Sequence, residues 1–442
     1  MSKNKFGLVF RMESEGAGNV GEVTADSTLA AEAGVTEAAE QVESATGDVT
    51  EVVTGIENAS EASEELSSVQ DSLEEAVESG EGVSPREAEH IQARLERVAS
   101  LLGTTTTDMG LTFRRESFGG SNSRLAATKM RLEFVKEWGK KIWELIQKAW
   151  EWVKGVTAKL LESISGSADR LQERLKALQA QVLAAQSKGR TIGTDKIKSK
   201  AGVFSIDGVT SADTIKKFVS LTDEYNVVVH NVTKLMAPAS IEKIAKTGDL
   251  KEHSKTIVDA FTKGPMVGTL PKSAGERAIG ALLLPNNKAV VSTPVAVKSG
   301  EEEIEILELS IAQANEKSAE EYSPLSFDEM KTILSSALDS VSSLADYQKV
   351  KKELDAITKA NISYAETMAK AASSIDQKNS EDDAGKKTAA ATAAKVKALH
   401  DMSVKAISIS VKNLPSASFT ILAAVGDVVA ASLSSGKDPE KK

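Results

Sequence analysis

Between Arg11 and Arg86 the chain runs for 74 residues without a lysine or arginine. With 54 bases among 442 residues, about nine would be expected in such a stretch. Residues 1–108 hold 23 acids against 6 bases, a net of −17, leaving residues 109–442 with 41 acids and 48 bases, a net of +7. The overall charge of −10 therefore describes neither part. The base-free stretch has no aromatic residue and alternates Glu with Ala, Ser, Val, Gly and Thr, as in Ala59-Ser-Glu-Ala-Ser-Glu-Glu-Leu. Low hydropathy and self-repelling charge leave too little apolar area to offset the entropy of ordering. Disorder is expected, with transient helix near Leu66 to Val77. A firmer helix is expected from about Pro85 to Leu102, where Ser84 supplies an N-cap, Pro85 the first helical position and Glu87 an early acid.

Beyond Gly119-Gly120 the texture changes. Residues 114–200 carry 19 bases against 9 acids, and Ala126 to Ile164 is periodic: Val135, Trp138, Ile142, Leu145, Ala149, Val153, Val156 and Leu160 step by three or four along one helix face. All four tryptophans fall in this helix, with Trp143 and Trp150 off that stripe, and Lys136, Lys140, Lys141 and Lys148 occupy much of the remaining surface. Three readings stand for it: core packing of a long helix or coiled coil, an interfacial membrane helix, or contact with nucleic-acid backbone. Ser167-Ala-Asp opens a second helix with Leu171, Leu175, Leu178 and Val182, which suggests an antiparallel helical pair.

From about Thr191 the chain reads as a mixed domain. A short strand is expected at Ala201–Gly208, then a helix capped by Ser211 and another over Ile241–Phe261. Ala281-Leu-Leu-Leu, the turn Pro285-Asn-Asn-Lys, Ala289-Val-Val-Ser and Glu303-Ile-Glu-Ile-Leu-Glu-Leu predict a three-stranded antiparallel meander. A capping box at Ser326-Phe-Asp-Glu starts helices that run to about Ser374, with a seam of Tyr347, Val350, Leu354, Ile357, Tyr364 and Met368. Two Ala-rich helices separated at Pro415 follow a polar linker. Aromatics at 4% of the chain leave cores to be built from Ala, Leu, Val and Ile, which favours helices. The expected fold class is mainly α with a small antiparallel β meander, an acidic disordered N-terminal segment preceding long amphipathic helices. The expected divisions are 1–108, 109–190, 191–376 and 377–442.

Chemistry is harder to find. There is no cysteine, the four histidines (His90, His230, His253, His400) lack the spacing of a helical metal pair, and neither a phosphate loop nor a G-x-S-x-G elbow occurs. Glu301-Glu-Glu alternates across a strand start and cannot converge on one ion. No run of 18 apolar residues exists and the polar start lacks a signal peptide's apolar stretch, so a non-secreted, non-spanning protein is expected, non-enzymatic and without cofactor. One phrase repeats: Gly7-Leu-Val-Phe-Arg-Met-Glu-Ser returns as Gly110-Leu-Thr-Phe-Arg-Arg-Glu-Ser. It is either a chance echo or a binding phrase in which Phe10 and Phe113 fill a pocket while Arg11 and Arg114 pair with an acid.

An acidic, Ala/Ser/Glu-rich segment with small-x-Glu triplets (Ala30-Ala-Glu32, Ala38-Ala-Glu40, Ala62-Ser-Glu64, Ser72-Leu-Glu74, Ala76-Val-Glu78), ahead of a basic, helical, cysteine-free body, resembles the internal head or inner capsid proteins of large tailed bacteriophages. The resemblance covers about residues 1–165. It implies a virion structural protein inside the head, made in the host cytoplasm, whose N-terminal propeptide is cut by a prohead protease after a glutamate. Glu64, Glu74, Glu78 and Glu116 are the candidate cleavage residues. Its implied partners are other virion proteins and that protease. The charges agree with this: an acidic arm would neutralise the body until DNA enters, and its removal leaves a basic product able to bind DNA without sequence preference. The competing class is a membrane-active translocator or effector in which the acidic region keeps the Trp/Lys helix soluble. Self-association through the helical seams is a further expected contact.

Overall fold

The computed structural model describes residues 27–111, 121–206, 208–236, 250–262, 281–299, 302–313, 318–374 and 383–437. Within the base-free stretch of residues 12–85 lies helix α1 (Ser27–Glu78), 52 residues long. Its buried positions step by three, four or seven: Val35, Ala38, Val42, Val49, Val52, Ile56, Ala59, Leu66, Val69 and Leu73. Positions 38, 45, 52, 59, 66 and 73 share one seven-residue repeat, and 35, 42, 49 and 56 its companion. The expected disorder is thereby corrected for residues 27–78. Residues 1–26 lie outside the described residues. Averaging Val and Ala with Glu hides the period, and a partner helix supplies the burial that an isolated acidic helix lacks.

That partner is α3 (Ser121–Gly166). Leu66 of α1 lies over Gly139 of α3, where an added Cβ would stand 4.0 Å from Leu66 Cδ2. Glu74 pairs with Lys136 at 3.5 Å, and the Val83 N–H donates to Thr128 Oγ1 at 3.0 Å, so the two helices run antiparallel. Between them α2 (Pro85–Leu101) begins as expected: Ser84 Oγ accepts from the Glu87 N–H and the Glu87 carboxylate accepts from the Ser84 N–H. The hydrogen bond to the Ser84 backbone holds the Glu87 carboxyl below its usual range.

α4 (Ala168–Ser187) buries Leu171, Leu175, Leu178 and Val182 as the spacing predicts. It packs mainly on α1 and on α7 (Phe327–Ser374), touching α3 little beyond the turn, so the expected α3–α4 hairpin is not formed. The other side of α3 packs antiparallel on α7, with Lys154–Asp355 at 2.5 Å and Gln348 Nε2 donating to Ser165 Oγ at 3.1 Å. α7 starts at the expected Ser326 box and buries Tyr347, Val350, Leu354 and Ile357. The side chains of Tyr364 and Met368 lie outside the description.

Ala201–Phe204 is a 3-10 turn rather than a strand, followed by a single bridge between Ile206 and Val209. Fully buried Phe204 meets Phe218 of α5 (Ala212–Leu235) edge-on, which draws the segment into the core. Ser211 caps α5 as expected. α6 (Leu250–Thr262) is the described part of the helix expected over 241–261. The meander is present: β1 (Ala281–Leu284), β2 (Lys288–Ser299) and β3 (Glu302–Gln313) are antiparallel in that order. Asn286 and Asn287 take φ of 60° and 57° at its first turn, a conformation asparagine tolerates. The outer edge of β3 is capped by α6, where Ser254 Oγ accepts from the Leu307 N–H at 3.1 Å.

α8 (Asp383–Ile407) passes through a π-helical turn (Ser408–Asn413) into α9 (Leu414–Ser434). Pro415 therefore does not separate two helices. It sits in the first turn of α9, where a missing N–H is tolerated. Ala394–Ser434 is long and apolar enough to cross a membrane by length and composition, yet 67% of its most apolar window is buried inside the fold. A helix apolar on all sides is a core helix when others surround it, and α9 contacts α1, α4, α5 and α7. One contiguous core contains residues from α1 through α9, so the boundaries at 108, 190 and 376 do not separate hydrophobic cores.

Candidate functional site

The Trp/Lys helix α3 was the strongest candidate contact element, and its tryptophans point inward. Trp143 and Trp150 are 2% and 1% exposed. Both meet the ring of His400 on α8 edge-on, at centroid distances of 5.7 and 6.1 Å. The face off the apparent stripe is thus a second buried face: α3 lies between α1 and α7 and needs apolar residues on both sides. The membrane reading loses the two residues it rested on. The lysines divide. Lys136 is 13% exposed beside Glu74, and Lys141 pairs with Glu137 at 2.7 Å and lies 5.2 Å over the Trp138 ring. Lys140 and Lys148 are exposed, on a surface they share with Glu133, Glu137, Glu144 and Glu151.

Around the buried His400 a polar cluster that opens to the surface at Glu64 joins three elements. Trp150 Nε1–H donates to His400 Nε2 at 3.1 Å, which makes Nε2 an acceptor and assigns the proton to Nδ1, 3.4 Å from Asp401 Oδ1. Asp401 also accepts from Ser60 Oγ on α1 at 2.8 Å and from Lys397 Nζ at 2.8 Å, and Lys397 reaches Glu64 at 3.2 Å. Burial alone would raise the Asp401 carboxyl. The His400 hydrogen bond and the Lys397 charge outweigh it and hold the group well below the usual carboxylate range. A histidine–aspartate pair suggests proton transfer, but His400 is 0% exposed, so the cluster locks α1, α3 and α8 together. Only the adjacency of His400 and Asp401 was visible in the sequence. Their distant partners Ser60, Glu64 and Trp150 were not.

Several acids of α1 pair with bases of α4 and of α2. Glu37 meets Arg170 at 3.4 Å, and Glu65 meets Arg94 at 3.1 Å and Arg97 at 3.4 Å, with Arg97 also on Glu61. The small-x-Glu triplets ending at 32, 40, 64, 74 and 78 all lie within α1. Glu64 and Glu74 are in mid-helix, Glu64 paired with Lys397 and Glu74 with Lys136, and Glu78 is the last residue of α1, followed by a turn with Gly80 and Gly82 at φ of 74° and 69°. A protease requires extended backbone, so the fold shields the first two positions. Glu116, Phe10, Arg11, Phe113 and Arg114 lie outside the described residues. Among the described residues no group of three or more His, Asp or Glu is placed to hold a metal ion.

The model of the phiKZ-like phage internal head proteins matches this chain over residues 24–433, from just before α1 to the last turn of α9. The chain belongs to that family. No curated protein and no solved structure matches it. As an internal head protein it resides inside the virion head, and the match takes in the whole acidic helix α1 as well as the basic body.

One buried group of this internal head protein titrates in an accessible range. Burial pushes the His253 imidazole on α6 down from 6.5 to about 4. Between those values the unfolded chain binds a proton that the folded chain does not, so stability falls as pH drops from about 6.5 towards 4. The upper bound is about 3.5 kcal/mol, at ~1.4 kcal/mol per pH unit. Denaturant melts of His253→Leu should be flatter across that window than those of the parent. An unchanged pH slope would show that His253 does not carry it.

Proposed function

We propose that this internal head protein is a non-catalytic packing body in which the acidic helix is a retained structural element rather than a disposable arm. The observation that carries this reading is the buried heptad seam of α1, from Val35 to Leu73, closed against α3. Any cut by a prohead protease then falls upstream of Ser27, at the α1–α2 turn after Glu78, or within residues 112–120, which include Glu116. A cut at either of the latter two leaves α1 held by its core contacts. Digestion of the purified full chain with a glutamate-specific protease tests this: Glu64 and Glu74 should survive under native conditions. Early cleavage at both would contradict it.

DNA association fits the exposed Lys140 and Lys148, with the four interleaved glutamates keeping the contact weak. Each phosphate neutralised contributes about 0.9 to the slope of log affinity against log salt, so replacing both lysines by Gln should lower that slope by up to about 1.8. An unchanged slope would remove these lysines from the contact.

A further inference from the structure

A groove of about 720 Å3 runs between the N-terminal half of α1 and α9, within the roughly 300–1,000 Å3 typical of ligand pockets. Val35, Ala39 and Val42 form one wall and Phe419, Ala423 and Val203 the other. Its two ends differ in charge. Near Val35, Arg174 is 10% exposed, bound to Asp427 at 2.6 Å and to the Ala423 carbonyl at 3.3 Å, while its Nε has no partner. Gly426 makes room for it, since a Cβ there would stand 3.0 Å from Arg174 Nη1. Lys200 stands beside them at φ 56°, 3.9 Å from Asp427, so this end holds two cations against one acid. The other end, where Thr46 meets Ser416 at 2.9 Å, carries the exposed Glu43.

We propose that the first copy of the repeated phrase, with the acids that follow it, docks in this groove. The 26 residues before Ser27 join α1 at the Val35 end, eight residues or about 12 Å away along the helix. A chain folding back from there meets Arg174 and Lys200 first and Glu43 later. Read backwards, the sequence supplies Glu15 and Glu13 and then Arg11, with Phe10 and Leu8 to enter the apolar walls. The charges therefore complement the groove in order. The start of the second copy gives a partial precedent: its Leu111 is 0% exposed, and the carbonyl of Met109, just before the phrase, accepts from Trp138 Nε1 at 2.8 Å.

The absence of native cysteine makes disulfide trapping clean. In the full chain, Met12→Cys, which leaves Leu8, Phe10, Arg11 and Glu43 in place, is paired with Ala39→Cys or, separately, Thr420→Cys in the groove, and as control with Gln41→Cys, an exposed position two residues further along α1 than Ala39. Both groove pairs should form an intrachain disulfide in about ten-fold greater yield than the control, as expected when docking raises local concentration. Arg11→Glu should remove that excess. Equal yields in all three pairs would overturn the proposal. Disulfide-linked dimers at the groove positions would also overturn it, assigning the groove to the same phrase of a second copy.

Discussion

Trp150→Ala should lower the stability of the whole chain by about 3–5 kcal/mol, the range for truncating a large buried aromatic. The side chain is 1% exposed, and its loss also leaves His400 Nε2 buried without its donor. Trp150→Phe separates these effects: it keeps most of the volume and should cost only the ~1–3 kcal/mol of an unsatisfied buried acceptor. Denaturant midpoints of the three proteins give the answer. If Trp150 were instead a surface contact residue, both variants would melt with the parent.

Ile56→Asp should have a comparable or larger effect, in a part of the chain whose composition suggests no structure. Ile56 is 0% exposed on the α1 seam, and an unpaired carboxylate there must break the seam or take up a proton, at a cost of several kcal/mol. Proteolysis should then reach Glu64 and Glu74, and the body should lose stability with α1. Glu51→Gln, on the exposed face of the same helix, should change neither. A body that melts unchanged in Ile56→Asp would make α1 a dispensable arm.

What could be read from the sequence was local. The meander, the N-caps at Ser84 and Ser211 and the capping box at Ser326 are each set by a few neighbouring residues, and all are present. What failed depended on a partner far along the chain. The α1 seam uses Val and Ala where a stronger seam would use Leu, so charge and mean hydropathy masked a regular seven-residue spacing that was there to be counted. Trp143 and Trp150 lay off the single stripe assumed for α3, because a helix between two neighbours needs two buried faces, and nothing in its own sequence names the second. The ion pairs across the fold follow the same rule: Glu64 and Lys397 stand 333 positions apart and meet only in the fold.

The central claim is that the acidic helix belongs to the mature protein inside the head. Its most direct test is quantitative mass spectrometry of the protein from purified mature virions, digested at glutamate because residues 12–85 offer no lysine or arginine. Peptides from residues 27–78 should be present in equal molar amount with those from 121–437, whether or not the chain is cut elsewhere. Their absence from virions that retain the body would contradict the account and return α1 to the role of a propeptide.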